Sequence, residues 1–456
     1  MIVWCFRLCQ LSVLTACFYS TFTHAANLSS LAALAFDEPN YRSAVAEQQA
    51  AVARYQQSQA ALLPQISLSA NSQANQRTYR ALGDSPFLNL EEQKDRYNSH
   101  GWQANFTQPL WRYSLWADRA QANAQQQQTT FQLSAAEQNT LSKLAEAWFE
   151  LLIAADQQRY SLVQQQMADE FYQVTLRGSQ LGLRSLPELH EAASKQSQAQ
   201  SEVFSAKQEL QLKQAALALI IGQDLNEQDI PTLKDNSHFP RSDYSLENWL
   251  QLIDASNSEI QSAYYQQEAA REEIGKQLGG HLPSLDLVAN YNDNRQHEGS
   301  TPSQSGYDSV QHYIGVQANW NLWQSGGQYA KVKEARARFD KAEANLELAK
   351  RTTRFNGQQA WLNQQIAIAK QHSSLATIQA LRSQLRALQQ GTDIGLKSRL
   401  DQLRAQEQLA STERDYRKAV YQQLLAFIKL EGLANQLTPH DFQQVDALFT
   451  QNEVSP

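Results

Sequence analysis

The chain has 456 residues, with 39 basic against 46 acidic side chains and a formal charge of −7, a balance that offers nothing to a nucleic-acid partner. Its three cysteines, Cys5, Cys9 and Cys17, all fall near the start, so the rest can hold neither a disulfide framework nor a cysteine-ligated metal. Beyond them no apolar run reaches about 18 residues, so any meeting with a membrane must be made by strands.

Residues 1–25 read as an export signal: Arg7 supplies a weak basic region, Leu8 to Tyr19 an apolar stretch, and Thr23-His24-Ala25 a small-residue cleavage site. Leu14-Thr15-Ala16-Cys17 also fits lipoprotein processing, which would cut before Cys17 and acylate it, and the two outcomes stay open. Loss of Arg7 leaves 38 basic against 46 acidic residues.

A first structural unit is expected over 26–222. It opens with a helical segment at 28–61, with Val45, Val52 and Tyr55 at helical spacing, which stops at Leu63-Pro64. Two strands follow, at about 65–74 and 101–110. Ile66, Leu68 and Ala70 alternate with Ser67, Ser69 and Asn71, and Trp102, Ala104 and Phe106 with Gln103, Asn105 and Thr107. The polar segment between them, 75–100, reads as a loop.

From Ser114 to Arg177 there is neither proline nor glycine, so one helix there would be about 95 Å long at 1.5 Å per residue. Leu141, Leu144, Trp148, Leu151 and Ala155 give it a coiled-coil seam. It reverses at Gly182, where a left-handed residue is wanted, and Ser185 with Pro187 and Glu188 starts a returning helix of about 35 residues. Residues 223–246, with Pro231 and Pro240, read as a linker.

The unit then repeats over 247–432. HLPSLDLVAN at 281–290 answers LLPQISLSAN at 62–71, GVQANW at 315–320 answers GWQANF at 101–106, and IGLKS at 394–398 answers LGLRS at 181–185. Three ordered matches at a near-constant offset indicate a tandem duplication. Ser245 is a candidate N-cap for a helix at 247–279, strands are expected at 284–292 and 312–322 around a polar loop at 292–311, and a second long helix runs over 328–390 with only Gly357 interrupting it. Residues 433–456 have weak periodicity.

Two alternating strands per unit give four per chain, whereas membrane-spanning sheets close into barrels of about 8 strands or more. A membrane role therefore implies an oligomer. A soluble half-buried sheet alternates equally well, but five of the eight tryptophans beyond the signal (Trp102, Trp111, Trp116, Trp320, Trp323) cluster at or just past the strands, as an interfacial girdle requires. The expected lipid-facing residues are Ile66, Leu68, Trp102, Phe106, Leu285, Leu287, Val316 and Trp320. A reading from another class, a periplasmic coiled-coil adaptor or structural rod, uses the same long helices with a soluble sheet.

The order of parts, carried by Asn27-Leu28 after the signal, Leu62-Leu63-Pro64-Gln65 before the first strand, Leu181-Gly182-Leu183 at the first reversal and Ile394-Gly395-Leu396-Lys397 at the second, resembles the TolC-type outer-membrane channels of efflux pumps and type I secretion. The resemblance spans essentially the whole chain past the signal. It implies an α+β, mainly α fold and a homotrimer, with four strands per chain in a twelve-stranded outer-membrane barrel continued by a periplasmic α-helical barrel. It also implies a middle belt built from parts of 223–250 and 433–450, and an inner-membrane transporter with a periplasmic adaptor as partners.

No catalytic set, cofactor or metal site is expected. Glu188-Leu189-His190-Glu191 lacks the two-histidine spacing of a metalloprotease helix. The residues that matter in a conduit line its narrow points, and by position these are Glu188, Thr392, Lys397, Asp401 and Arg404 at the periplasmic tip. Lys397 and Asp401 also fit an ordinary exposed i,i+4 pair. The turns with Gly182, Leu183, Gly395 and Leu396 are the expected adaptor contacts. Arg404 stands where the resemblance places an acidic ring, and Thr392 where it places an aromatic, which turns the expected selectivity toward anions.

Overall fold

A computed structural model describes residues 27–79, 93–225, 230–234, 244–300, 305–393 and 398–450. The export signal with Cys17, and the second reversal with Ile394, Gly395, Leu396 and Lys397, lie outside these residues. The described chain is mainly helical, with the sheet at one end of the helices.

Each unit opens with two helices where the periodicity suggested one. In the first, α1 (Leu28–Ala35) and α2 (Pro39–Ala60) are split at Phe36–Glu38, because Pro39 has no N–H to continue a helix and suits a first-turn position. Four strands form the sheet: β1 (Gln65–Tyr79) and β2 (Gln93–Trp111) in the first unit, and β4 (Ser284–Gln296) and β5 (Tyr307–Asn319) in the second. Two long helices, α3 (Tyr113–Gln180) and, in the second unit, α7 (Gly327–Asp393), have 68 and 67 residues, about 100 Å each. Their returning partners are α4 (Leu186–Ile221) and α8 (Arg399–Leu433). A two-residue β3 (Thr232–Leu233) stands between the units, and α9 (Pro439–Asp446) with β6 (Phe449–Thr450) ends the described chain.

The second unit opens with α5 (Leu246–Ser256) and α6 (Ser258–Gly279). Ser245 caps α5, accepting from the Asn248 amide at 3.2 Å. The break at Asn257 is built by that side chain: it accepts from the Ile260 amide at 3.0 Å, capping α6, and donates to the Leu433 carbonyl at 2.8 Å.

The strands depart from the expected bounds. All four strands extend into segments read as loops, β5 by starting at Tyr307, because polar side chains on both faces do not prevent backbone pairing: Asn75 pairs with Tyr97 and Asn294 with Ser309. β5 stops at Asn319, so Trp320 lies past the strand, where its indole donates to the His281 carbonyl at 3.1 Å.

The sheet order is β1-β2-β4-β5, antiparallel throughout, so each unit contributes a hairpin and the β2–β4 pair joins them. Below it, α3 packs against α2, α4, α6 and α8, and α7 against α5, α6 and α8. Gly357 does not break α7: a Cβ there would stand 2.8 Å from Ile253 Cδ1, so the glycine admits the close crossing of α5.

The main core sits at mid-height, where Leu141, Leu144, Trp148, Phe149, Leu151 and Leu152 of α3 meet α1, the end of α4, α8 and α9. Trp148 packs edge-on against Phe449, centroids 4.9 Å apart. Full burial of side chains of this size stabilises by about 1.5–3 kcal/mol each. The weakly periodic C-terminal stretch closes this belt: β6 pairs with β3, and the Asp446 carboxylate accepts from the Leu28 and Ser29 amides at 2.8 and 2.9 Å, capping α1 from the far end of the chain.

Candidate functional site

Register decides which sheet residues share a face. Leu68, Ala104, Tyr291 and His312 form one cross-strand row and Ile66, Phe106, Ala289 and Ile314 the next, with Leu287 opposite Val316 and Leu285 opposite Ala318. Trp102 lies on the same face, stacked on Tyr291 at 4.8 Å. Every expected wall residue within the strands thus falls on one apolar face, and no described element covers it: Ile66 is 78% exposed and Ile314 75%. The opposite face is a polar ladder, in which Asn290 donates to Asn105 at 2.7 Å and Gln103 to the same oxygen at 2.7 Å.

Among the described residues, both sheet edges, β1 and β5, lack a second partner strand. The helices below keep the same flanks, since α2 and α4 adjoin α3 on the β1 side and α7 ends the row on the β5 side. On α4, Phe204, Leu212 and Leu219 are exposed, and on α7 so are Leu348, Phe355, Leu362 and Ile366. The described chain therefore presents two exposed apolar rows, one along each flank.

At the end of the helices away from the sheet, Gly182 takes φ +73°, and the Leu183 amide donates to the Gly178 carbonyl at 2.8 Å, closing α3 in a left-handed cap. Leu181, Leu183 and Leu186 project into solvent around this turn. Glu188 belongs to its own turn: it accepts from the Ser185 amide at 2.8 Å while Arg184 holds it at 3.1 Å. The Ser185 amide, then Arg184, lower its pKa below the ordinary carboxylate value.

On the second hairpin Thr392 donates to the Leu388 carbonyl at 2.8 Å, the Ser398 hydroxyl caps α8 by accepting from the Leu400 amide at 3.0 Å, and Asp401 and Arg404 are exposed in the first two turns. The bond between hairpins is made by residues the sequence does not single out. Arg399 of α8 reaches Glu170 of α3 at 2.8 Å. Arg404 instead edges a cleft of about 270 Å³ between α3, α4 and α8, floored by Met167, Phe171 and Leu403, with Lys195 5.4 Å over the Phe171 ring.

Nearer mid-height a second group missed from the sequence joins the two units. Asp156, 3% exposed, accepts from Tyr421 at 2.8 Å, Arg159 at 2.8 Å and Arg417 at 3.1 Å. Burial, then Asp156, pushes the Tyr421 hydroxyl well above its usual pKa. A carboxylate one step past the apolar seam Leu141–Ala155 was the available signal, because a charge inside a buried stripe needs partners.

A family model described as "Outer membrane efflux protein" matches residues 33–223 and 249–436. The outer membrane protein TolC of Vibrio cholerae is 25% identical over 413 residues, covering 90% of this chain and 91% of that one. The alkaline protease secretion protein AprF of Pseudomonas aeruginosa is 25% identical over 423 residues, covering 91% and 86%. Among solved structures, the outer membrane protein VceC of Vibrio cholerae superposes with a TM-score of 0.71 at 18% identity, over 90% of this chain and 96% of that one.

Proposed function

The chain belongs to the outer membrane efflux protein family and is an outer-membrane exit channel for efflux or type I secretion, not an enzyme, and from that premise we propose how its parts make the conduit. Three copies close one barrel, β5 of each pairing with β1 of the next. The exposed apolar rows of α4 and α7 meet across the same boundary, giving a helical barrel below. A head-to-tail contact of this kind must close into a ring, because an open sheet edge cannot stand in lipid. The observation that carries the reading is the four-stranded sheet which, among the described residues, has one apolar face uncovered and both edges unpaired.

The apolar face meets lipid and the Asn/Gln ladder lines the lumen. Cargo moves passively, energy being supplied by an inner-membrane transporter, and the turn at Gly182 and Leu183 receives the periplasmic adaptor. Arg399 on Glu170, repeated by symmetry, holds the hairpins together at the closed tip. Purified full-length protein in planar bilayers tests this. Discrete conductance steps of one size support the closed ring, and membranes that stay electrically silent while the protein remains monomeric reject it.

A further inference from the structure

The apolar face of the sheet ends in a basic cluster. Past the stacked Trp102–Tyr291 pair, the same face carries His100 directly opposite Arg295, then His297, whose amide donates to the Asn98 carbonyl at 2.9 Å, then Arg96. The His100 and His297 rings lie 5.2 Å apart. Arg295, Arg96 and His297 are exposed, and the Arg96 backbone is braced at both ends by Ser300, at 2.9 Å to its hydroxyl and 3.1 Å to its amide.

Asp293 at 3.6 Å and Asp308 at 3.3 Å both face the Arg295 Nε, so the fork formed by its two terminal nitrogens is the part offered to a ligand. Four residues separate Arg96 from His100, so the two arginine backbones stand about 13 Å apart along the strands at 3.4 Å per residue. Both arginines and both imidazoles stand on one face of the sheet, by the strand register. Among the described residues no third carboxylate or imidazole completes a metal set here.

We propose that this cluster binds the phosphate of a phosphorylated lipid in the outer leaflet, on the reading above that this face meets lipid. Guanidinium forks match phosphate oxygens bidentately, and each imidazole ring offers an N–H. The commitment to a lipid rather than a free anion rests on continuity. The donors sit at the rim of the aromatic and apolar band, so a headgroup held by them lays its acyl chains along Trp102, Tyr291, Ala104 and Ile314.

The test is native mass spectrometry of the full-length detergent-solubilised oligomer, titrated with a phosphorylated lipid A glycolipid, with its dephosphorylated form, and with inorganic phosphate as competitor. Stable adducts of the phosphorylated lipid alone are expected, weakened about tenfold in the double variant Arg96→Gln, Arg295→Gln and unmoved by equimolar phosphate. A His100→Gln, His297→Gln variant, which keeps both arginines, should lose a smaller part. Equal binding of both lipids, an unchanged affinity in the arginine variant, or displacement by inorganic phosphate would each overturn the proposal while leaving the channel reading intact. A protein that never forms a membrane oligomer would overturn both.

Discussion

The two long helices, α3 and α7, have nearly the same length and occupy the same place in their units, yet they live in different surroundings. α3 packs against five helices and buries Leu141, Leu144, Trp148, Phe149, Leu151 and Leu152 completely or nearly so. Among the described residues α7 packs against three helices, α5, α6 and α8. Its buried residues are mostly small or spaced by a turn or more, such as Ala335, Ala342, Ala360 and Ala367, while Leu348, Phe355, Leu362 and Ile366 stay exposed. The same coiled-coil period therefore has two outcomes: in α3 it joins the two units of one chain, and in α7 it leaves an apolar row exposed, the row proposed above to meet a second copy.

The sharpest way to break that contrast is at the centre of the chain. Asp156→Ala leaves Arg417 and the buried Tyr421 hydroxyl without their shared acceptor, and should cost about 3 kcal/mol or more, read as a lower midpoint in urea denaturation of the detergent-solubilised protein. At the flank the outcome differs in kind. Phe355→Asp with Ile366→Asp should abolish the oligomer, seen by size-exclusion chromatography with light scattering, while circular dichroism keeps the helix content of the separate chain.

A pH profile sharpens the account of the belt where α8 meets α9. Burial, then Asp441, raises the Glu431 pKa to about 7, and its Oε2 has no hydrogen-bond partner among the described residues. A carboxyl that holds its proton longer in the folded state stabilises at low pH and loses that contribution as pH rises. Stability should therefore fall between the ordinary carboxylate pKa of 4.5 and about 7, and Glu431→Gln should flatten that window in thermal melts.

Effects at the tip are smaller, because its ions are exposed. Arg399→Ala or Glu170→Ala removes a pair worth under about 1 kcal/mol per copy, so neither should lower the melting temperature by more than a degree or two. Each should raise the open fraction in bilayer recordings, and the double variant should add nothing further. Arg404→Asp should leave stability unchanged and increase cation over anion permeability. An unmoved reversal potential would take Arg404 out of the pore.

Much of this was legible in the sequence. The alternation of Ile66 and Leu68 with Ser67 and Ser69, the unbroken run from Ser114 to Arg177, and the reversal at Gly182 each rest on local rules of period and backbone freedom. The reading as a soluble rod drew on the same helices, and the family match over both units sets it aside. Less legible was whatever depends on distant partners. Asn257 breaks a helix because Leu433 stands beside it, Gly357 stays helical because Ile253 crosses there, and Asp446 caps a helix 418 positions away. Strand ends were missed for a related reason: β2 continues through Tyr97 and Ser99 on backbone pairing and a polar contact in which Asn75 donates to the Ser99 hydroxyl at 2.8 Å, which leaves no hydrophobic period to read. At the tip, Arg399 and Glu170 lie 229 positions apart, with no pattern linking them.

The central claim is that this chain is one slice of a shared barrel. The most direct test compares unboiled and boiled protein on a denaturing gel after isolation of outer membranes. A species near three times the chain's mass that collapses to the single-chain position on boiling is the predicted result. A single chain or dimer that runs the same before and after heating, recovered from the soluble periplasm, would contradict it.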